Sequence, residues 1–283
     1  MHDFNLIETL LTIAAVLGVI LGTCAMLIYV ERKIAGYVQD RLGPNRVGPA
    51  GLFQSVADGL KFLLKEDIIP NYVDKFLFIM APAIAMTTAL FAFAVVPFGG
   101  TTPQEATNYT STYQFVIAPG IDIGIVFIFA ATSLAVYAII LGGWSANNKY
   151  SFIGGLRSSA QLVSYEIPMG MSVLGIVLMT GSLNLERIID SQARQGFLGW
   201  NLWYQPLAYL LFLISAFAEC NRLPFDLPEA EQELVGGYHT EYSALKFALF
   251  FLGEYTHMVT TSFLIVILFL GGWHFPWVAE ADA

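Results

Sequence analysis

Residues 123–144 read IGIVFIFAATSLAVYAIILGGW, a run of 22 residues without a charged side chain. A helix needs about 20 predominantly apolar residues to cross the roughly 30 Å hydrocarbon core of a bilayer. Five further runs qualify, and together they predict spanning helices at 10–30, 76–98, 123–144, 160–183, 202–218 and 247–273. The sequence therefore predicts an all-α fold, a polytopic transmembrane helix bundle that forms a single membrane domain over residues 1–283.

The composition favours the same class. Hydrophobic residues make up 56% of the chain and charged residues 12%, and the mean hydropathy is +0.63. A soluble domain of this length cannot bury that much apolar surface. The net charge of −9 excludes a nucleic-acid binder, because such a protein presents a basic patch.

The basic residues predict the orientation of the chain. Segments 31–75, 143–160 and 219–246 carry seven, two and two Lys or Arg, whereas the opposite segments carry only Arg187 and Arg194. Basic loops remain on the cytoplasmic side during insertion. We therefore expect the long polar loops 31–75 and 219–246 in the cytoplasm and both termini outside. A bacterial inner membrane is the expected location, with the mitochondrial inner membrane as the alternative.

The first polar loop contains apolar residues at helical spacing between 52 and 64. This pattern predicts an amphipathic helix along the inner membrane interface, with Gln54, Asp58, Lys61 and Lys65 on its polar face. Glycines and prolines at 43–51 predict a turn before it. Two interpretations remain open: a helix packed on the bundle, or the wall of an opening from the bilayer, with Asp58 pointing away from lipid.

Two glutamates lie inside apolar runs. Glu166 follows Arg157, and Glu254 follows Lys246, by about eight residues, which places both carboxylates about 12 Å into the membrane from the inner side. A charge at that depth costs several kcal/mol, so such residues commonly mark ion or proton paths. The alternative is a protonated glutamate bonded to a neighbouring carbonyl group.

The second polar loop combines acids with rigid apolar residues. Its prolines and leucines favour a loop that is buried or covered by a partner, and a solvated acidic loop is the alternative. Buried acids there would extend the line of Glu166 and Glu254 towards the inner surface. We expect Cys24 and Cys220 to be free thiols, with no metal-ligand spacing. Against one arginine, Arg222, the loop carries six acids: Glu219, Asp226, Glu229, Glu231, Glu233 and Glu241.

Four segments carry a resemblance to a known family. They are ERKIAGYVQDRLGPNRVG at 31–48, LVSYE at 162–166, ECNRLPFDLPEAEQELVGGYHTEY at 219–242 and FFLGEY at 250–255. In this order they resemble subunit 1 of respiratory complex I, the proton-pumping NADH–quinone oxidoreductase. The resemblance implies a membrane subunit that is not catalytic alone. Quinone would be the substrate of the complex, with NADH, FMN and iron–sulfur clusters bound only by partner subunits.

The resemblance also implies residue roles. The positions that match the family's quinone tunnel are Arg32, Asp58, Arg222, Phe250 and Phe251. Those that match its acidic proton path are Glu166, Glu219, Asp226, Glu229, Glu231, Glu233, Glu241 and Glu254. The expected partners are the peripheral iron–sulfur and quinone-site subunits, other membrane-arm subunits, lipid and quinone. The polar loops would form the surface for quinone binding and partner docking.

Other readings are the equivalent subunit of a membrane-bound hydrogenase, of a ferredoxin- or deazaflavin-fed complex or of the photosynthetic enzyme. A proton-coupled secondary transporter is an alternative from another class, but the hydropathy shows no matching halves. Members of the resembled family have eight spanning helices. We therefore expect a longer native polypeptide or a separate chain beside the sixth helix, and residues after Trp273 on the outer side.

Overall fold

The structure is a computed structural model, and it describes residues 6–99, 117–118, 121–193, 196–229 and 235–273. In these ranges all regular secondary structure is helical, so the predicted all-α class is confirmed. Five helices among them are long and apolar enough to cross a membrane, as expected for a polytopic membrane protein. They are α1 (Leu6–Val38), α3 (Lys75–Phe91), α4 (Gly124–Ser145), α5 (Lys149–Thr180) and α9 (Ala244–Phe269).

The fifth predicted span, at 202–218, is interrupted. Two helices, α7 (Asn201–Tyr204) and α8 (Pro206–Glu219), flank Gln205, whose φ of −133° and ψ of 60° are not helical. Pro206 explains the break, because proline lacks an N–H donor and disfavours a helical conformation in the preceding residue. With 14 residues, α8 is about 21 Å long, shorter than the roughly 30 Å apolar core of a bilayer.

The structure differs from the sequence prediction at two further helices, α5 and α6. Helix α5 begins at Lys149 rather than at 160, because its first turns are too polar for a hydropathy criterion. A short helix, α6 (Leu185–Ala193), was not predicted, although it buries Leu185, Ile188 and Ile189. Its apolar residues recur at helical spacing over only nine residues, which is too short for a membrane-span criterion.

The amphipathic helix predicted in the first polar loop is present as α2 (Gln54–Leu64), and none of its residues is fully buried. The turn before it depends on Gly51, whose φ is 83° and where an added Cβ atom would lie 2.2 Å from the Pro44 carbonyl oxygen. Only glycine tolerates both the positive φ and this close approach.

The chain forms two compact units. The first unit consists of Met1–Thr87, Tyr137–Arg157 and Pro228–Val259. An aromatic cluster forms its core: Phe78 stacks on Tyr242 at 4.1 Å between ring centroids, and Phe250 packs edge-on against both Tyr238 and Tyr242. This cluster fixes the start of α9 against the loop that precedes it.

The second unit consists of Thr88–Val136, Ser158–Leu227 and Thr260–Ala283. Two buried amides hold the end of α9 in this unit: Gln192 Nε2 donates to the Ile267 carbonyl oxygen at 2.9 Å, and Asn201 Nδ2 donates to that of Leu268 at 2.8 Å. Both amides satisfy carbonyl groups of the last helical turn, which lack donor partners within their own helix.

Candidate functional site

Two predicted proton-path glutamates of the second unit have hydroxyl partners on α4. The Ser133 hydroxyl forms a hydrogen bond with the Glu166 carboxyl group. Glu219, the last residue of α8, is hydrogen-bonded to Thr132 and interacts electrostatically with Glu166. Both glutamates are half-buried. Adjacent side chains of one apolar helix therefore hold two carboxyl groups.

The side-chain amide of Gln161 in α5 contacts the loop after α8 at two points. Gln161 Nε2 lies 2.9 Å from the Phe225 carbonyl oxygen and 3.1 Å from Asn221 Oδ1. The loop carries two predicted site residues, Arg222 and Asp226, which are both half-buried. Gln161 therefore positions the backbone on which these two charged side chains stand.

The predicted quinone-site residue Asp58 forms an ion pair in the first unit. Its carboxylate contacts the Arg32 guanidinium of α1, and Lys61 Nζ lies 3.8 Å from the same carboxylate. Gln54 Nε2 donates to Asp58 Oδ1 at 3.2 Å. The Asp58 side chain is 16% exposed and that of Arg32 44%. The polar face of α2 is thus joined to α1 through Asp58.

Two further hydrogen bonds attach α2 and its preceding turn to α1. Ser55 Oγ donates to the Ala25 carbonyl oxygen at 2.7 Å, and Tyr29 Oη donates to that of Ala50 at 2.9 Å. Polar contacts therefore attach this helix to α1, while four of its apolar side chains stay exposed. The exposed set comprises Val56, Leu60, Leu63 and Leu64.

Glu241 lies in a hydrogen-bonded cluster that links three segments of the first unit. Asn148 Nδ2 donates to its Oε1 at 2.6 Å, and Tyr72 Oη donates to its Oε2 at 3.3 Å. The negative charge of Glu241 raises the pKa of Tyr72. Asn147 Nδ2 also donates to the Tyr72 carbonyl oxygen at 3.0 Å. Glu241 thus holds the segment before α3 against the turn between α4 and α5.

Glu254 is half-buried in α9, and its neighbour makes a contact that the sequence did not predict. The buried Tyr255 hydroxyl donates to Glu31 Oε2 at 2.5 Å. Since Glu31 is exposed, this hydrogen bond leads from the first unit's interior to its surface.

The two predicted aromatic site residues differ in burial. Phe250 is 3% exposed and belongs to the aromatic core of the first unit. Phe251 is half-buried, with its ring centroid 4.8 Å from that of Tyr255. Phe251 thus presents part of its ring to the exterior, and Phe250 supports the same turn of α9 from within.

Of the three acids at 229–233, only Glu229 lies among the described residues. It is 1% exposed, in a backbone segment packed against Gly237, where a Cβ atom would lie 2.9 Å from Glu229 Cα. The predicted proton-path residues Glu231 and Glu233 lie outside the described residues, as do residues 274–283, which we expect on the outer side.

Some site residues had little signal in the sequence. Thr132 and Ser133 are two consecutive polar residues in an otherwise apolar run. Gln161 stands five residues before Glu166. Cys24 and Cys220 are buried thiols, and no disulfide joins them. Within the described residues no group of three or more His, Cys, Asp or Glu is arranged to hold a metal ion.

Comparison with known proteins relates this chain to one family. The family model described as NADH dehydrogenase matches residues 11–281. NADH-quinone oxidoreductase subunit 8 of Rhodothermus marinus is 49% identical over 276 residues, which cover 97% of this chain and 76% of the relative.

Two further relatives are equally similar. The H subunit of the NADH-quinone oxidoreductase of Leptospira biflexa is 51% identical over 271 residues, or 94% of this chain and 75% of the relative. The H 2 subunit of the Koribacter versatilis enzyme is 48% identical over 280 residues, covering 96% and 78%. The residues matched by the family model include both polar loops and every acid of the predicted proton path.

Proposed function

Because this chain belongs to the NADH dehydrogenase family, we propose that it is the membrane subunit of a proton-translocating NADH–quinone oxidoreductase that frames the quinone tunnel. In this proposal it also carries the acidic path that couples quinone reduction to proton pumping. The observation that carries the proposal is about half identity to quinone oxidoreductase subunits over at least 94% of the chain. In this proposal the redox centres belong to partner subunits, from which electrons reach quinone.

The quinone side of the proposal rests on the first polar loop and the start of α9. An isoprenoid tail needs an apolar surface, and the exposed leucines and valine of α2 offer one. The ion pair of Arg32 and Asp58 supplies polar groups at the edge of that surface. Phe251 contributes an exposed ring edge and Phe250 supports it, and the family resemblance assigns Arg222 to quinone binding as well.

The proton side of the proposal rests on carboxyl groups in apolar helices. A quinone that accepts two electrons also takes up two protons, and nearby carboxyl groups can supply them and register the change in charge. Glu166, Glu219 and Glu254 are half-buried, and the first two are hydrogen-bonded to hydroxyl groups of α4, which supports a role in proton transfer. The proposed path continues through Asp226, Glu229 and the remaining acids of the second polar loop, Glu231, Glu233 and Glu241.

We also propose the location and the partners. The chain would lie in a bacterial inner membrane with its two polar loops in the cytoplasm. These loops would dock the peripheral subunits that hold the iron–sulfur clusters, and those subunits would connect to the NADH and FMN sites. Exposed apolar residues beside basic ones support a docking surface at 37–46, since Tyr37, Val38 and Leu42 are 73%, 81% and 83% exposed.

The quinone assignment is tested by separating two activities of the complete complex. Asp58→Asn and Arg222→Ala should lower quinone-dependent turnover by at least about tenfold, a loss of about 1.4 kcal/mol in transition-state stabilisation. NADH oxidation by an artificial acceptor that takes electrons upstream should stay unchanged. Glu186→Gln in α6, which removes a carboxylate outside both polar loops, serves as the control and should alter neither activity.

Two outcomes would count against the proposal. Equal loss of both activities in an intact complex would show that these residues support assembly rather than quinone reduction. Recovery of this chain with hydrogenase subunits, and without an NADH-oxidising subunit, would assign it to a related complex. Mass spectrometry of the proteins that co-purify with the native chain measures the second point directly.

A further inference from the structure

Thr132 and Ser133 are consecutive residues of α4, and both hydroxyl groups reach the same backbone carbonyl group. Ser133 Oγ lies 2.6 Å from the Phe129 carbonyl oxygen, and Thr132 Oγ1 lies 3.1 Å from it. Each hydroxyl also has a carboxyl partner, Glu166 for Ser133 and Glu219 for Thr132. Each hydroxyl therefore stands between a fixed acceptor and a group that can gain or lose a proton.

Counting protons shows what this arrangement permits. A hydroxyl group carries one proton to donate and two lone pairs that accept. If Ser133 donates to the Phe129 carbonyl, its bond with Glu166 requires a proton on the Glu166 carboxyl group. If Glu166 is ionised, the Ser133 proton must turn towards it and leave the carbonyl group. The same choice applies to Thr132 and Glu219.

Basic or apolar neighbours would not allow both charge states. An ionised carboxylate without a donor is costly in apolar surroundings, and so is a protonated carboxyl group without an acceptor. A lysine or arginine would serve only the ionised form, and an alanine would serve neither. A hydroxyl group that can rotate between the carbonyl group and the carboxyl group serves both forms without a water molecule.

We propose that Ser133 and Thr132 are positioning residues that let Glu166 and Glu219 change charge inside the membrane, by rotating between the carboxyl groups and the Phe129 carbonyl. This inference rests on the proposed function, in which these glutamates carry protons. It extends that function by assigning the residues that keep each glutamate hydrogen-bonded in both charge states. Ser133 and Thr132 are neighbouring residues. A hydroxyl rotation that follows a proton change at Glu166 therefore occurs next to the hydroxyl partner of Glu219, and the reverse also holds.

The test uses the complete complex in lipid vesicles and a spectroscopic signature that activity alone cannot supply. The infrared carbonyl absorption of the protonated Glu166 carboxyl group is identified as the band that Glu166→Gln removes. In Ser133→Ala this band should move to higher frequency, because the carboxyl group loses a hydrogen-bond partner. Proton pumping and quinone turnover should fall together by about tenfold, equivalent to about 1.4 kcal/mol.

Matched variants separate this role from simple packing. Ser133→Thr keeps the hydroxyl group and should restore both the band position and turnover. Thr132→Val keeps the shape of threonine without its hydroxyl group and should move the band that Glu219→Gln removes. Ser172→Ala is the control, because the buried Ser172 hydroxyl also bonds a carbonyl group of its own helix, that of Met169 at 2.6 Å. This control should leave both bands and turnover unchanged.

The possible failures are distinguishable. If Glu166→Gln loses pumping but Ser133→Ala leaves the Glu166 band in place, the hydroxyl role is overturned and the proposed function stands. If Ser172→Ala slows turnover as much as Ser133→Ala, and Ser133→Thr restores nothing, the effect is packing and the inference also fails. If Glu166→Gln pumps normally, Glu166 does not carry protons and both proposals fall.

Discussion

Asp58 and Glu166 are both carboxyl groups that the sequence singled out, but their neighbours differ in kind. Asp58, in the first unit, contacts the Arg32 guanidinium and lies 3.8 Å from Lys61 Nζ. Glu166, in the second unit, contacts the Ser133 hydroxyl. One carboxyl group therefore has cationic partners and the other a partner that can either donate or accept a hydrogen bond.

The difference separates two tasks for acidic residues. The contact between Arg32 and Asp58 is an ion pair only while Asp58 is ionised, so it suits a residue that holds a fixed charge and orients α2. A hydroxyl partner is equally compatible with a charged and a neutral carboxyl group. In the proposed function Asp58 therefore serves quinone binding and Glu166 proton transfer, and variants at the two positions should fail in different ways.

The largest expected effect concerns coupling. Glu166→Gln or Glu254→Gln should leave the complex assembled, because the change is nearly isosteric and introduces no charge. Coupled turnover should fall at least about tenfold, because glutamine cannot release a proton. In Asp58→Asn, the residual turnover should pump the normal number of protons for each quinone reduced.

Proton uptake by sealed vesicles, measured beside quinone reduction, checks this prediction. The ratio of the two rates is the decisive quantity, because it is independent of how slowly a variant turns over. A normal rate and a normal ratio in both glutamine variants would mean that these glutamates are structural. A lowered ratio in Asp58→Asn would remove the distinction between the two carboxyl groups.

The second prediction concerns a histidine that lies among aromatic rings rather than beside a carboxyl group. His239 packs edge-on against the rings of Tyr238 and Phe247 at 5.2 and 5.3 Å, and burial lowers its pKa from 6.5 to about 4. The unfolded chain therefore binds a proton at higher pH than the folded chain. The contribution of His239 to the free energy of unfolding is therefore fully present above pH 6.5. It is lost as the pH falls towards 4, by about 3 kcal/mol in total.

Unfolding at acidic pH would also abolish pumping and would then be attributed to Glu166. The effect of His239 on stability is therefore measured separately. Thermal unfolding of the purified complex between pH 7 and pH 4 should show a decline that His239→Phe weakens. The natural chain, heated in parallel over the same pH range, should show the full decline. An identical pH dependence in His239→Phe and the natural chain would contradict the assignment.

The sequence predicted the class of fold and most of the span positions, because both follow from local apolar length. The predicted span 123–144 corresponds closely to α4, Gly124–Ser145, because polar residues stand directly beside both ends of the apolar run. The break at Gln205 was missed because hydropathy averages over Pro206, and α6 was missed because it is short. The resemblance to subunit 1 of respiratory complex I is confirmed by the family model and its relatives.

The partners of the site residues were beyond the reach of the sequence. Glu166 stands out because a charge in an apolar run is rare, but its contact with Ser133 joins two helices and depends on their packing. The same holds for Tyr255 and Glu31, which are separated by 224 positions in the chain. Burial of Glu229 likewise depends on Gly237, whose close approach follows from tertiary structure rather than spacing.

The third prediction concerns the loop that carries Arg222. Gln161→Met keeps the side-chain length but removes the donor to the Phe225 carbonyl oxygen. Loss of such a hydrogen bond costs about 1 kcal/mol, so the loop should open several-fold more often. Hydrogen exchange of the amides at 221–227 should accelerate, and the KM for quinone should rise with little change in kcat.

A matched change at Gln205 makes this experiment specific. Gln205 Nε2 also donates to a backbone carbonyl group, that of Gly175 at 2.9 Å. Gln205→Met should therefore lose a comparable hydrogen bond without accelerating exchange at 221–227. Equal acceleration in both variants would indicate general loosening of the second unit rather than release of this loop.

The smallest expected effect is the coupling between Arg32 and Asp58, because the Arg32 side chain is 44% exposed and water screens the pair. Arg32→Ala and Asp58→Ala should each accelerate hydrogen exchange in α2, and the double variant should do so less than the two single effects combined. The coupling should be no more than about 1 kcal/mol and should shrink at high salt. The same cycle on Ser133 and Glu166, read from amides of α4, should not depend on salt because Ser133 is uncharged. If both cycles depended equally on salt, the proposed difference between a charged partner of Asp58 and an uncharged partner of Glu166 would be wrong.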